Sequence, residues 1–75
     1  MTSLNEFINN DKVKIKKLIM KNDSYDIKLL EMGFVIGKIV IIINKQFDNI
    51  ICSINNNDRI WINDEMAGRI LCERI

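Results

Sequence analysis

Cys52 and Cys72 are the only two thiols in this 75-residue chain, and no histidine stands beside them to act as base or ligand. Each lies in an apolar, strand-like run, "IICSI" and "ILCERI", where a free cysteine behaves as a small buried hydrophobe. Adjacent strands could bring the pair close enough for a disulfide. No signal peptide precedes "MTSLNEF", however, so reduced thiols in a cytoplasmic protein are expected. The acids Glu31, Asp64, Glu65 and Glu73 fall at helix ends or exposed edges, where solvation or dipole complementation is their ordinary work. Ser24 and Ser53 have no base partner in view. Enzymes need a nucleophile beside a base, a tuned acid–base pair or an open metal site. None is assembled here, so no catalytic or cofactor-binding residue is assigned. Asp64 and Glu65 could touch a hard cation weakly through oxygen. A tight transition-metal centre wants several Cys or His ligands, and no metal ligand is assigned.

The elements that would carry these residues are short. Ser3 and Glu6 stand at capping-box spacing before a helical turn near 4–8, with Leu4, Phe7 and Ile8 on one face. "NND" (Asn9 to Asp11) ends it. Val13 to Ile19 alternates as a strand, Val13 and Ile15 inward, Lys14 and Lys16 outward. Asp23 or Ser24 caps a helix over about 25–32, whose stripe of Tyr25, Leu29 and Met32 is buried. Gly33 suits a positive-φ cap, and Phe34 is placed to close it. Gly37 hands the chain into a strand at Ile39–Ile43, which forms a hairpin with Ile50–Ile54 across a loop longer than two residues. "NNND" (Asn55 to Asp58) signals a sharper turn before the strand Arg59–Ile62. A helical turn near 63–67 is capped by Asn63 or Asp64 and ended by Gly68. Arg69–Glu73 is the last strand. Five strands and one real helix predict a mainly β, SH3-like, partly open barrel with the helix plugging one side.

Length allows one domain, residues 1–75, and no second core. At 48% hydrophobic and 28% charged residues the chain is a folding sequence, not a disordered tail. A net charge of +1 gives no footprint for nucleic acid or acidic lipid. The lysines of "KVKIKKLIMK" read as the solvated face of a strand. The longest apolar run, Ile39 to Ile43, is far short of the roughly 20 residues of a spanning helix.

The run "KLLEMGFVIGKIVII" resembles the signature of FeoA-type domains, small SH3-like barrels of bacterial ferrous iron uptake. Leu29 and Leu30 match that family's helix leucines, Met32-Gly33-Phe34 its Leu-Gly-Leu step, and Gly37 the second glycine of a Pro-Gly pair. In "IWINDEMAGRILCE", Ile62, Ala67, Ile70 and Cys72 match its last segment. The opening "SLNEF" and "VKIKKL" are also similar, so the likeness spans nearly the whole chain. Ile36 stands where the family usually has proline, and Asn10-Asp11 where it often has Pro-Gly.

The family register points Val40 and Ile42 inward, with Ile50, Cys52, Ile54, Ile60 and Ile62. It leaves Ile39, Ile41, Ile43, Ile51 and Trp61 outward as one apolar line. Such a patch usually marks an interface. Alternatively the N-terminal turn (Leu4, Phe7) or the helix covers this face, or two copies bury it as a homo-dimer. The resemblance implies a non-enzymatic, cytoplasmic accessory protein, contacting the cytosolic part of a FeoB-type membrane ferrous iron transporter. The balanced charge and short apolar runs give no nucleic-acid partner and no membrane insertion, and the donors present give no cofactor beyond weak Fe(II) contact. Kinship to the C-terminal SH3-like domain of iron-dependent repressors, or an Fe(II) sensor or chaperone, are the other readings.

Overall fold

Alternation along "KVKIKKL" builds the strand β2 (Lys12–Leu18), with Val13 and Ile15 fully buried and Lys12, Lys14 and Lys16 in solvent. The computed structural model describes residues 1–55 and 59–75. Most of the "NNND" turn therefore lies outside the described residues. Six strands form one antiparallel sheet in the order β1-β6-β2-β3-β4-β5. The others are β1 (Thr2–Ser3), β3 (Ile39–Lys45), β4 (Asn49–Ile54), β5 (Arg59–Asn63) and β6 (Ile70–Arg74), with helices α1 (Ser24–Glu31) and α2 (Asp64–Ala67). The architecture is the expected open SH3-like one, with one more strand than the sequence suggests. β1 is only two residues long, pairing Thr2 with Cys72 and Ser3 with Leu71, and so leaves no periodic signal.

Two bulges curl the sheet. Register shifts between Ile15 and Lys17 on β2 and between Ile42 and Asn44 on β3. An extra residue on one strand bends it and sharpens its twist. The inner faces thereby close on a single core that includes Leu4, Val13, Leu29, Phe34, Val40, Ile42, Cys52, Ala67, Ile70 and Cys72. Tyr25 and Met32, the other members of the α1 stripe, are half-buried against it.

The glycine step ends α1 as a Schellman motif. The Phe34 N–H donates to the Leu29 carbonyl and the Gly33 N–H to the Leu30 carbonyl, both at 3.0 Å. These are the six-to-one and five-to-two bonds of that cap. They require the left-handed φ of +97° at Gly33, and they carry Phe34 into the core beside Leu29. Three residues on, the Lys38 N–H closes a turn on the Val35 carbonyl at 3.2 Å with Gly37 at φ +94°. That is the pattern of a type II turn, with Ile36 at the position proline favours.

Three local expectations change. The Ser3 hydroxyl makes no capping bond to the backbone and instead donates to Asn5 Oδ1 at 2.7 Å. The turn it precedes is a three-residue 3-10 turn, Leu4–Glu6, after which Phe7 is already extended. Helical spacing therefore never reaches Ile8, which points to solvent. The Asp11 N–H donates to the Ile8 carbonyl across Asn10, whose φ is +73°. The glycine of a Pro-Gly pair would thus sit at Asn10, one residue earlier than the resemblance placed it.

Candidate functional site

Pairing register sorts the outer face of the sheet into rows. Val13 and Val40 face each other and are fully buried, which turns their neighbours Lys12↔Ile41 and Lys14↔Ile39 outward. Ile41 is next paired with Ser53, and Ser53 with Arg59, giving a row Lys12–Ile41–Ser53–Arg59 across four strands. The adjacent row joins Asn44 to Ile51 and Ile51 to Trp61, with Ile43 the extra residue of the bulge. Ile39, Ile41, Ile43 and Ile51 are half-buried by this packing, while Trp61 keeps 60% of its surface exposed.

Neither the N-terminal turn nor α1 brings a buried group to this face. Leu4, Phe7 and Leu29 all belong to the one inner core. Phe47 is the one aromatic of the polar connector "NKQFDN". It is fully exposed, at 102%, on the three-residue tip between β3 and β4. Alternation ends before it, so no periodic signal could have singled it out.

The second feature is a buried cation. The Arg69 side chain is 5% exposed. Its Nη1 donates to Asp23 Oδ1 at 2.6 Å, and its Nη2 to Asp23 Oδ2 at 2.7 Å and Glu65 Oε1 at 3.1 Å. Its guanidinium also stacks over the Tyr25 ring, 5.1 Å from the centroid. Asp23 caps α1 by accepting from the Tyr25 N–H at 3.1 Å, and Asp26 accepts from the N–H groups of Lys21 and Asn22. Arg69 therefore clamps the start of α1 to α2 and the head of β6. The guanidinium holds the Asp23 carboxyl down at about 2, from the usual 3.8. A cleft of about 350 Å³ lies beside this clamp, lined by Asn5, Ile19, Lys21, Asp64, Glu65, Gly68 and Arg69.

The donors present do not fit a resident transition metal. Asp64 Oδ1 accepts from Asn5 Nδ2 at 3.0 Å, and Glu65 is engaged by Arg69 and, at 3.8 Å, by Lys21. Cys52 and Cys72 are unbridged, fully buried thiols whose pKa burial pushes up to about 12. Two thiols are also fewer than the several Cys or His ligands of a tight transition-metal site. Among the described residues no three Cys, Asp or Glu side chains converge where an ion could sit.

A family-level sequence model described as the FeoA domain matches residues 2–74. The chain belongs to the FeoA family. No curated protein matches it. A crystal structure of an iron uptake regulatory protein (FeoA) superposes with a TM-score of 0.88 at 23% identity, covering 99% of this chain and 97% of that one. The NMR structure of a FeoA-like protein from Clostridium acetobutylicum gives 0.86 at 25% identity, over 99% and 86%. Stenotrophomonas maltophilia FeoA, crystallised with zinc and described as a procaryotic SH3 domain protein, gives 0.84 at 19% identity, over 97% and 91%.

In this FeoA domain the signature residues do structural work. Leu29, Phe34, Ile62, Ala67 and Ile70 are buried, Met32 is half-buried, and Gly33 and Gly37 hold the positive-φ positions. Among the described residues no helix is long and apolar enough to cross a membrane.

Proposed function

We propose that this FeoA domain is a cytoplasmic, non-enzymatic accessory protein of bacterial ferrous iron uptake. It docks on the cytosolic part of a FeoB-type membrane transporter and adjusts transport by protein contact. The observation that carries this reading is the family match over residues 2–74. The S. maltophilia relative is described as possibly a bacterial ferrous iron transport activating factor, which supports the same role. Iron is then the transporter's cargo and needs no ligand set in this chain.

The docking surface is the outer apolar line Ile39, Ile41, Ile43, Ile51 and Trp61. β-Branched side chains lying flush on a sheet give a flat surface, and Trp61 projects from it as an anchor. Co-purification with the transporter tests the assignment. Trp61→Ala combined with Ile41→Lys abolishes the association while circular dichroism and the unfolding midpoint stay those of a folded domain. Undiminished co-purification of the double variant would sink the surface.

A further inference from the structure

The outer face carries isoleucines and Trp61 in its middle, with the buried Ser53 among them, and is cationic at both ends. Lys12 and Arg59 terminate the same cross-strand row, with Ile41 and Ser53 between them. Three strand spacings of about 4.8 Å separate the backbones of the two residues by roughly 14 Å along the sheet. Lys14 extends the cationic edge opposite Ile39, although Glu73 pairs with it from β6. Apart from Glu73, no Asp or Glu lies in these rows, and the rows Lys12–Ile41–Ser53–Arg59 and Asn44–Ile51–Trp61 hold none. Among the described residues neither Lys12 nor Arg59 forms an ion pair, whereas Arg69 and Arg74 on the other side of the fold are both paired.

From this charge pattern we infer that the partner's contact segment is acidic. It carries apolar side chains for Ile41, Ile51 and Trp61, flanked by carboxylates that meet Lys12 and Arg59. The inference rests on the docking face proposed above and names the chemistry of what covers it.

Two other occupants fit less well. A second copy of the chain would bring its own Lys12 and Arg59 against the same cationic edges, and juxtaposed like charges cost an interface several kcal/mol. An anionic bilayer would satisfy the cations. Trp61 alone of this face projects far enough to insert, however. The four isoleucines are half-buried in the sheet and offer a bilayer little apolar area, and membrane binding strength scales with that area. An acidic protein segment satisfies both features at once.

The test measures binding of the full chain to the isolated cytosolic part of the transporter at about 50 and about 300 mM salt, which shortens the screening length by a factor of about 2.4. Lys12→Glu with Arg59→Glu weakens association at least about tenfold and flattens its salt dependence. Lys21→Glu with Lys28→Glu makes the same change in net charge around α1 and leaves binding intact. If the Lys12/Arg59 variant binds normally while the Trp61/Ile41 variant does not, the surface stands and the acidic partner falls. If neither variant loses binding, the docking face itself has failed. Phosphatidylglycerol vesicles complete the experiment. Vesicle binding lost in the Lys12/Arg59 variant, with transporter binding unchanged, would overturn the proposal in favour of lipid.

Discussion

Arg69 and Asp23 are 46 residues apart in sequence and close a two-pronged ion pair, with both carboxylate oxygens held at 2.6 and 2.7 Å. The same carboxylate caps α1 through the Tyr25 N–H. One acid thus starts the helix and anchors it to the barrel. A planar guanidinium can serve Asp23 and Glu65 together and still stack on Tyr25, which a lysine ammonium cannot do. Arg69→Lys is therefore expected to keep the fold but lower the urea midpoint. A midpoint equal to that of the parent chain would show that charge alone suffices.

The clamp gives stability a pH dependence of definite sign. Asp23 titrates at about 2 in the folded chain and near its ordinary 3.8 when unfolded. Between those values the unfolded state binds more protons, so stability is present in full above about 4 and falls as pH drops toward 2. Asp11, lowered by its bond from Arg74, acts in the same direction. Chemical unfolding from pH 7 to pH 2 should show this loss. Asp23→Asn should begin less stable at pH 7 and lose less on acidification. An equally steep acid limb in that variant would place the effect on other carboxylates.

The turn at Val35–Lys38 offers a stabilising change. Ile36 is solvent-exposed at the second position of a type II turn, a position that calls for the φ at which proline is fixed. Ile36→Pro should add about 0.4–1 kcal/mol by restricting the unfolded chain, read as a higher urea midpoint at unchanged slope. Gly37→Ala tests the same turn from the other side. A Cβ there meets nothing within 4 Å, so its cost, about 1–2 kcal/mol, is that of the left-handed φ alone. A lower midpoint for Ile36→Pro would mean that the Ile36 backbone departs from the proline value.

Much of this was legible because the signals are local. Gly33 and Phe34 stand where a helix cap puts them, and the alternation of Val13, Val40, Ile42, Ile50 and Cys52 gives the inner face directly. The outward line also follows from alternation once pairing is assumed. What the sequence could not show was anything joined through space. The Arg69 clamp draws on residues at 23, 26, 65 and 69, and no periodicity connects them. Arg69 reads as the first residue of a strand, Asp23 as a helix cap and Glu65 as an ordinary acid at a helix end. The bulges at Ile15 and Ile42 were hidden for a related reason. They are defined by the partner strand and not by the residues that bulge.

The two thiols should be inert in the folded chain. Both are fully buried, and burial keeps them protonated up to about pH 12, so little thiolate exists to react. A disulfide-exchange reagent at pH 8 should label neither cysteine quickly in native protein and both after denaturation. Rapid native labelling of either would show that its strand opens readily.

Phe47 separates a role in folding from one in binding. A fully exposed side chain on a hairpin tip has almost no apolar area to lose, so Phe47→Ser should change stability by no more than about 0.5 kcal/mol. The tip joins the two strands that carry Ile43 and Ile51, placing an aromatic at the end of the proposed docking line. Aromatic side chains exposed beside an apolar surface bury much area on contact and lose little conformational freedom. Phe47→Ser is therefore expected to weaken association with the transporter's cytosolic part severalfold while the unfolding midpoint is unmoved. Unchanged association would confine the docking surface to the sheet, and a lowered midpoint would show that Phe47 packs against the fold.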